Sequence, residues 1–127
     1  MKRQSMTTVA LSITLLVLLL MATHAQANKA STAIQTPTVV ERGSEVPITI
    51  TVKHEGNNFF HYTNWVRVLA DGKEIARWDF SATKKPESET FTRQVKYPVN
   101  GNVTITAEAN CNTHGSTGPT TTTIAVK

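Results

Sequence analysis

Val46, Ile48, Ile50 and Val52 alternate with Pro47, Thr49, Thr51 and Lys53. Strict period-two alternation marks a strand with one face buried and one face wet. Val103, Ile105, Ala107 and Ala109 repeat it against Thr104, Thr106 and Glu108, and Phe91, Arg93, Val95 and Tyr97 occupy alternate positions ahead of them. Trp65–Ala70 and Lys73–Phe80 flank Asp71-Gly72, and Asn100-Gly101 separates the next pair. Both dipeptides favour the positive φ angles of tight hairpin turns. Thr120–Val126 reads as a last, threonine-rich strand and Thr38–Arg42 as a short first one. No segment beyond the amino-terminal region carries a helical period. About seven short strands in roughly 100 residues predict an all-β, immunoglobulin-like sandwich.

The first 27 residues have a different pattern. Lys2 and Arg3 precede a nearly uninterrupted apolar run from Val9 to Ala22, and Ala25-Gln26-Ala27 follows. A short positive region, an apolar core and a small-residue A-x-A site predict a cleaved signal peptide over 1–27. The domain is then 28–127, free of the membrane after cleavage. The apolar run falls short of the ~20 residues that span a bilayer, so a retained anchor is the lesser alternative. Export predicts a periplasmic or secreted protein. Without Lys2 and Arg3, 11 basic residues face 9 acidic ones. They are scattered, which is not the basic stripe of a nucleic-acid-binding surface. A mildly positive surface suits a small anion.

Strand parity places the loops. If successive strands run up and down, the segments 54–60, 81–89 and 110–118 share one end, and the two tight turns share the other. His54, His61, Cys111 and His114 then converge, although about 50 residues separate the two pairs. Thiolate and imidazole together suit iron, copper or zinc and disfavour magnesium or calcium. The chain has a single cysteine and so no internal disulfide; a free buried thiol and a link to another chain are the other readings. A metal-held thiolate accounts for a lone cysteine in an oxidising compartment. Trp65, Trp78, Phe80 and Phe91 read as core. Phe59 and Phe60, between two proposed ligands, either wall the site or anchor its loop.

His61-Tyr62-Thr63-Asn64-Trp65, continuing to Leu69-Ala70-Asp71-Gly72-Lys73, resembles the stretch after the second histidine ligand in the superoxide reductase family, which includes desulfoferrodoxin and neelaredoxin. Cys111-Asn112-Thr113-His114-Gly115 resembles that family's C-N-x-H-G loop. The resemblance runs from about Pro37 to Gly115. It implies one non-haem iron on an immunoglobulin-like sandwich, with four histidines in a plane and a cysteine on the axis. It also implies reduction of superoxide to peroxide at an open sixth position, with electrons from an external donor. A lysine near that position attracts the anion. His54, His61 and His114 match three equatorial ligands, and Cys111 matches the axial one.

The departures are as informative. The family's opening Glu-Lys-His run corresponds to Asn28-Lys29-Ala30, so the lysine is kept and a ligand histidine is replaced by alanine. Lys29 is the candidate anion guide, yet as the second residue after cleavage it is expected to fray. Glu55 stands where a proline often follows the first loop histidine, and the His54–His61 loop is one residue longer than usual. Three imidazoles and one thiolate leave a place for water, Glu55 or Asn57, and also form an acceptable tetrahedral set for copper or zinc. A non-catalytic metal or electron carrier using the same ligands is therefore the alternative to an exported superoxide reductase. A plain interaction module with incidental histidines is the third reading.

Overall fold

The computed structural model describes residues 28–127; the signal-like segment lies outside them. The strands are β1 (Ser31–Gln35), β2 (Val39–Val40), β3 (Ser44–Lys53), β4 (Thr63–Ala70), β5 (Lys73–Asp79), β6 (Thr90–Val99), β7 (Val103–Cys111) and β8 (Thr120–Val126). They form two sheets, β1-β3-β6 and β2-β8-β7-β4-β5. All pairings are antiparallel except the two-residue contact of β2 with β8. The all-β sandwich expected from the alternation is present, with one strand more than expected. The addition is β1, whose Ser-Thr-Ala-Ile-Gln sequence has one large apolar residue and so little periodic signal.

The core lies between the sheets and is made of columns. Val46, Ile48, Ile50 and Val52 point inward from β3, and Val103, Ile105, Ala107 and Ala109 point inward from β7. Val66, Val68 and Ala70 do so from β4. Each fully buried Val or Ile contributes about 1.5–3 kcal/mol relative to exposure. Trp78 packs against this core, and Phe80 meets Phe91 edge to face with ring centroids 5.7 Å apart. Trp65 corrects the expectation. Because Val66 and Val68 take inward positions, Trp65 faces out, with the Arg67 and Arg77 guanidinium carbons 5.1 and 5.3 Å from its ring centroid.

The two ends differ. At one end β4 turns into β5 through Asp71 (φ 48°) and Gly72 (φ 81°), the two successive positive φ angles of a type I′ hairpin. At the other end Ser31 pairs with Lys53, the His54 amide donates to the Glu89 carbonyl, and Ala30 bridges Ser116. The segment 28–30 and the loops after β3, β5 and β7 are thus gathered at one end, as strand parity predicts.

A bulge near that end decides which side chains face inward. Thr63 pairs with Cys111, but Trp65 pairs with Asn110, which leaves Asn64 as an extra residue in β4. One extra residue inverts the in–out phase of a strand. Thr63 is therefore buried on the same side as Val66, which it would not share without the bulge.

Candidate metal centre

Two of the proposed ligands extend the core columns. His54 is the next inward position after Val46, Ile48, Ile50 and Val52, and is 2% exposed. Cys111 follows Val103, Ile105, Ala107 and Ala109, and is 1% exposed. They come from opposite sheets, so the site is the last layer of the sandwich interior. His61 enters half-buried just before the β4 bulge, and His114 lies exposed in the loop after β7.

The ring nitrogens converge. His54 Nε2 lies 3.1 Å from His61 Nε2, and His61 Nε2 lies 3.0 Å from His114 Nδ1. The Cys111 Sγ is 3.8 Å from His114 Nδ1. Ligand atoms of His54, His61 and Cys111 all lie within 4.8 Å of one another, a grouping able to hold a metal ion. The Asn28 carbonyl oxygen is 3.4 Å from His61 Nε2. A neutral imidazole has only one N–H. A single hydrogen on His61 Nε2 can serve one of these three neighbours well, whereas a cation satisfies them together. Two nitrogens about 2.1 Å from one ion stand roughly 3.0 Å apart at a right angle and roughly 3.4 Å apart at the tetrahedral angle. The observed separations fit a shared ion.

Asparagine amides set the orientations. Asn57 Nδ2 donates to the Ser88 carbonyl, which fixes its Oδ1 as the acceptor facing Thr63 N (2.8 Å) and His54 Nδ1 (3.0 Å). His54 therefore carries its hydrogen on Nδ1, and the lone pair of Nε2 faces the cluster. Thr63 Oγ1, 3.0 Å from the same Nδ1, flanks that bond. Burial holds the His54 pKa below its ordinary value; the Asn57 bond opposes this, and positive charge on His61 or His114 reinforces it. The imidazole thus stays neutral, and able to bind a cation, to lower pH than a free one.

On the other sheet, Asn112 Oδ1 accepts from the Tyr62 amide and its Nδ2 donates to the Phe60 carbonyl, tying the Cys111 loop to the His61 loop. The amides of Thr113 and His114 donate to Cys111 Sγ at 3.4 and 3.3 Å, which fixes the direction of the sulfur. Gly115 (φ 83°) lets the chain fold back so that its carbonyl accepts from Cys111 N. Gly56 (φ 94°) leaves room for His61, since a Cβ there would stand 3.0 Å from His61 Nδ1.

Other expected roles change. Asn57 uses both ends of its amide as scaffold, so it supports a ligand rather than acting as one. Glu55 is exposed. Phe59 and Phe60 are 55% and 82% exposed and meet each other edge to face, so they neither wall the site nor anchor the loop in the core. Ala30 is fully buried and bonded to the Cys111 loop through Gly115 O and Thr117 N. Lys29, expected to fray, is half-buried beside it. The supporting asparagines carry no distinctive signal in the sequence, where Asn in a loop reads as turn chemistry.

The desulfoferrodoxin family model matches residues 22–116. Among solved structures the chain is similar to a superoxide reductase (neelaredoxin) variant from Ignicoccus hospitalis, at 18% identity over 81% of this chain and 85% of that one, with a TM-score of 0.66. A candidate superoxide reductase from Thermotoga maritima is similar at 24% identity over 80% and 88%, with a TM-score of 0.62. The sulfur carrier protein SoxY from Chlorobium limicola is also similar, at 12% identity over 76% and 78%, with a TM-score of 0.55. These likenesses establish the fold, which serves more than one activity. Comparison with curated proteins gave no match. The fold together with a His54/His61/Cys111 cluster fits an iron-binding protein of the superoxide reductase type. With the family model spanning most of its length, this chain belongs to the desulfoferrodoxin family.

Proposed function

We propose that this is an exported, mononuclear iron protein that reduces superoxide to hydrogen peroxide, with His54, His61, His114 and Cys111 as iron ligands. The observation that carries the reading is the convergence of those four side chains at one end of a desulfoferrodoxin-family sandwich. Bound iron would supply the one-electron chemistry: one superoxide, one electron from an external donor and two protons give one hydrogen peroxide. The protein's own part is positional. Asn57 and Thr63 hold His54 with its Nε2 lone pair facing inward. The Thr113 and His114 amides hold Cys111 Sγ in position. Exposed His114 marks the side on which the site meets solvent, and Lys29, in the adjoining segment, draws the anion toward it.

The test is stoichiometric. Reduced, iron-loaded protein should consume superoxide faster than free ferrous ion and yield one hydrogen peroxide per superoxide, where dismutation yields one per two. A rate equal to that of free iron sinks the reading. Buried Ala30 in place of a ligand histidine favours a second reading, a copper, zinc or iron carrier without turnover. It predicts tight metal uptake, or a reversible redox couple, with no superoxide consumption.

A further inference from the structure

We propose that the main-chain carbonyl of Asn28 is the metal donor that stands in for the imidazole missing at Ala30. The inference rests on the metal-binding reading above and adds a donor to it. Ala30 is wholly buried, and its methyl group offers no donor atom. Two residues earlier the chain turns a carbonyl toward them. Asn28 O lies 3.4 Å from His61 Nε2, whose own neighbour at 3.1 Å is His54 Nε2.

The segment is held firmly enough to keep that oxygen in place. Ala30 N donates to Gly115 O, Thr117 N donates to Ala30 O, and Ser31 begins the ladder with Lys53. Gly115 belongs to the loop that carries Cys111 and His114, so the carbonyl and those side chains share one support. The donor chemistry is suitable. When His54 Nε2 and His61 Nε2 both offer lone pairs inward, the Asn28 carbonyl faces them as a third acceptor. Three acceptors pointed at one another repel unless a cation lies among them. A peptide oxygen is a neutral, harder donor than imidazole, which fits iron or zinc and suits copper(I) poorly.

Isotope labelling separates this donor from the rest of the site. Protein carrying [1-13C]asparagine and loaded with ferric iron should show a resolved 13C coupling in electron–nuclear double resonance, together with 14N couplings from histidine. Asn28→Gln keeps the peptide carbonyl but removes the label, so the 13C coupling should vanish while the iron signal is unchanged. A chain beginning at Ala30 should bind Zn(II) about tenfold more weakly in competition with a chromophoric chelator, a loss of the size seen when metal-site support is removed. Histidine couplings without any 13C coupling overturn the proposal and leave the metal reading intact. So does an unchanged Zn(II) affinity in the shortened chain. A protein that takes up neither ion overturns both.

Discussion

The two ends of this sandwich are closed by different means. At the hairpin end, two residues of the right backbone preference suffice: Asp71 and Gly72 turn the chain, and the Asp71 carboxylate accepts from the Thr104 amide. At the site end, three loops and an incoming segment are held by side-chain amides that act as extra peptide groups. Asn57, Asn58 and Asn112 among them bond to His54, His61, Thr63, Tyr62 and Phe60. The same strands feed both ends. A turn that only has to close can be specified by two residues. A turn that must aim a ring nitrogen needs a partner for each freedom of that ring.

The contrast is broken most severely at Cys111. Cys111→Ser keeps the column and nearly the volume, so the sandwich should survive, while superoxide consumption by the iron-loaded protein falls to the rate of free iron. Stopped-flow kinetics beside circular dichroism checks both halves; an unchanged rate removes the thiolate from the mechanism. Next is Asn57→Ala, which frees His54 Nδ1 and the Thr63 amide together. Metal affinity should drop about 10–100-fold, as for other outer partners of ligand histidines. Competition against a chelator of known affinity measures it.

Glycine replacements compare the ends directly. Gly56→Ala and Gly72→Ala both force a residue with a Cβ into positive φ, at about 1–2 kcal/mol each. Only at Gly56 does the new methyl group meet a histidine ring; at Gly72 nothing lies within 4 Å. Urea unfolding should show similar losses for both variants, with metal affinity reduced for Gly56→Ala alone. The smallest effect is expected at Glu87, which bonds both Nη atoms of Arg93 and has its pKa lowered to about 2, chiefly by that guanidinium. A depressed carboxylate stabilises the fold above the ordinary value of 4.5 and loses that contribution as pH falls toward 2. Glu87 is exposed and Arg93 half-buried, so Glu87→Gln should cost no more than about 1 kcal/mol at pH 7. The gap between variant and parent should close by pH 2 in a thermal-melt series.

What could be seen in the sequence follows from how local each signal is. The columns of β3 and β7 and the two hairpin turns are written in consecutive residues, and the sandwich follows from them. His54 and Cys111 continue those columns, so their inward direction was legible as well. Trp65 was misread because its size says core while its phase says surface. The asparagine scaffold was not legible, because an amide bonded to a ring 3 residues away looks the same in sequence as one bonded to water. Nor was the Asn28 carbonyl, since every residue has one and only the fold aims it.

The bulge at Asn64 has a genetic consequence. In a strand, spacing and facing are separate variables, and a bulge lets one codon be added without changing the second. Deleting Asn64 would leave Thr63 opposite Cys111 and Trp65 opposite Asn110 in a regular ladder, so Thr63 would still face the core with Val66. A centre arranged this way tolerates a frame-preserving change of one residue between ligand and core column. Surveys for metal sites on this fold should therefore allow that one residue of slack when they count ligands.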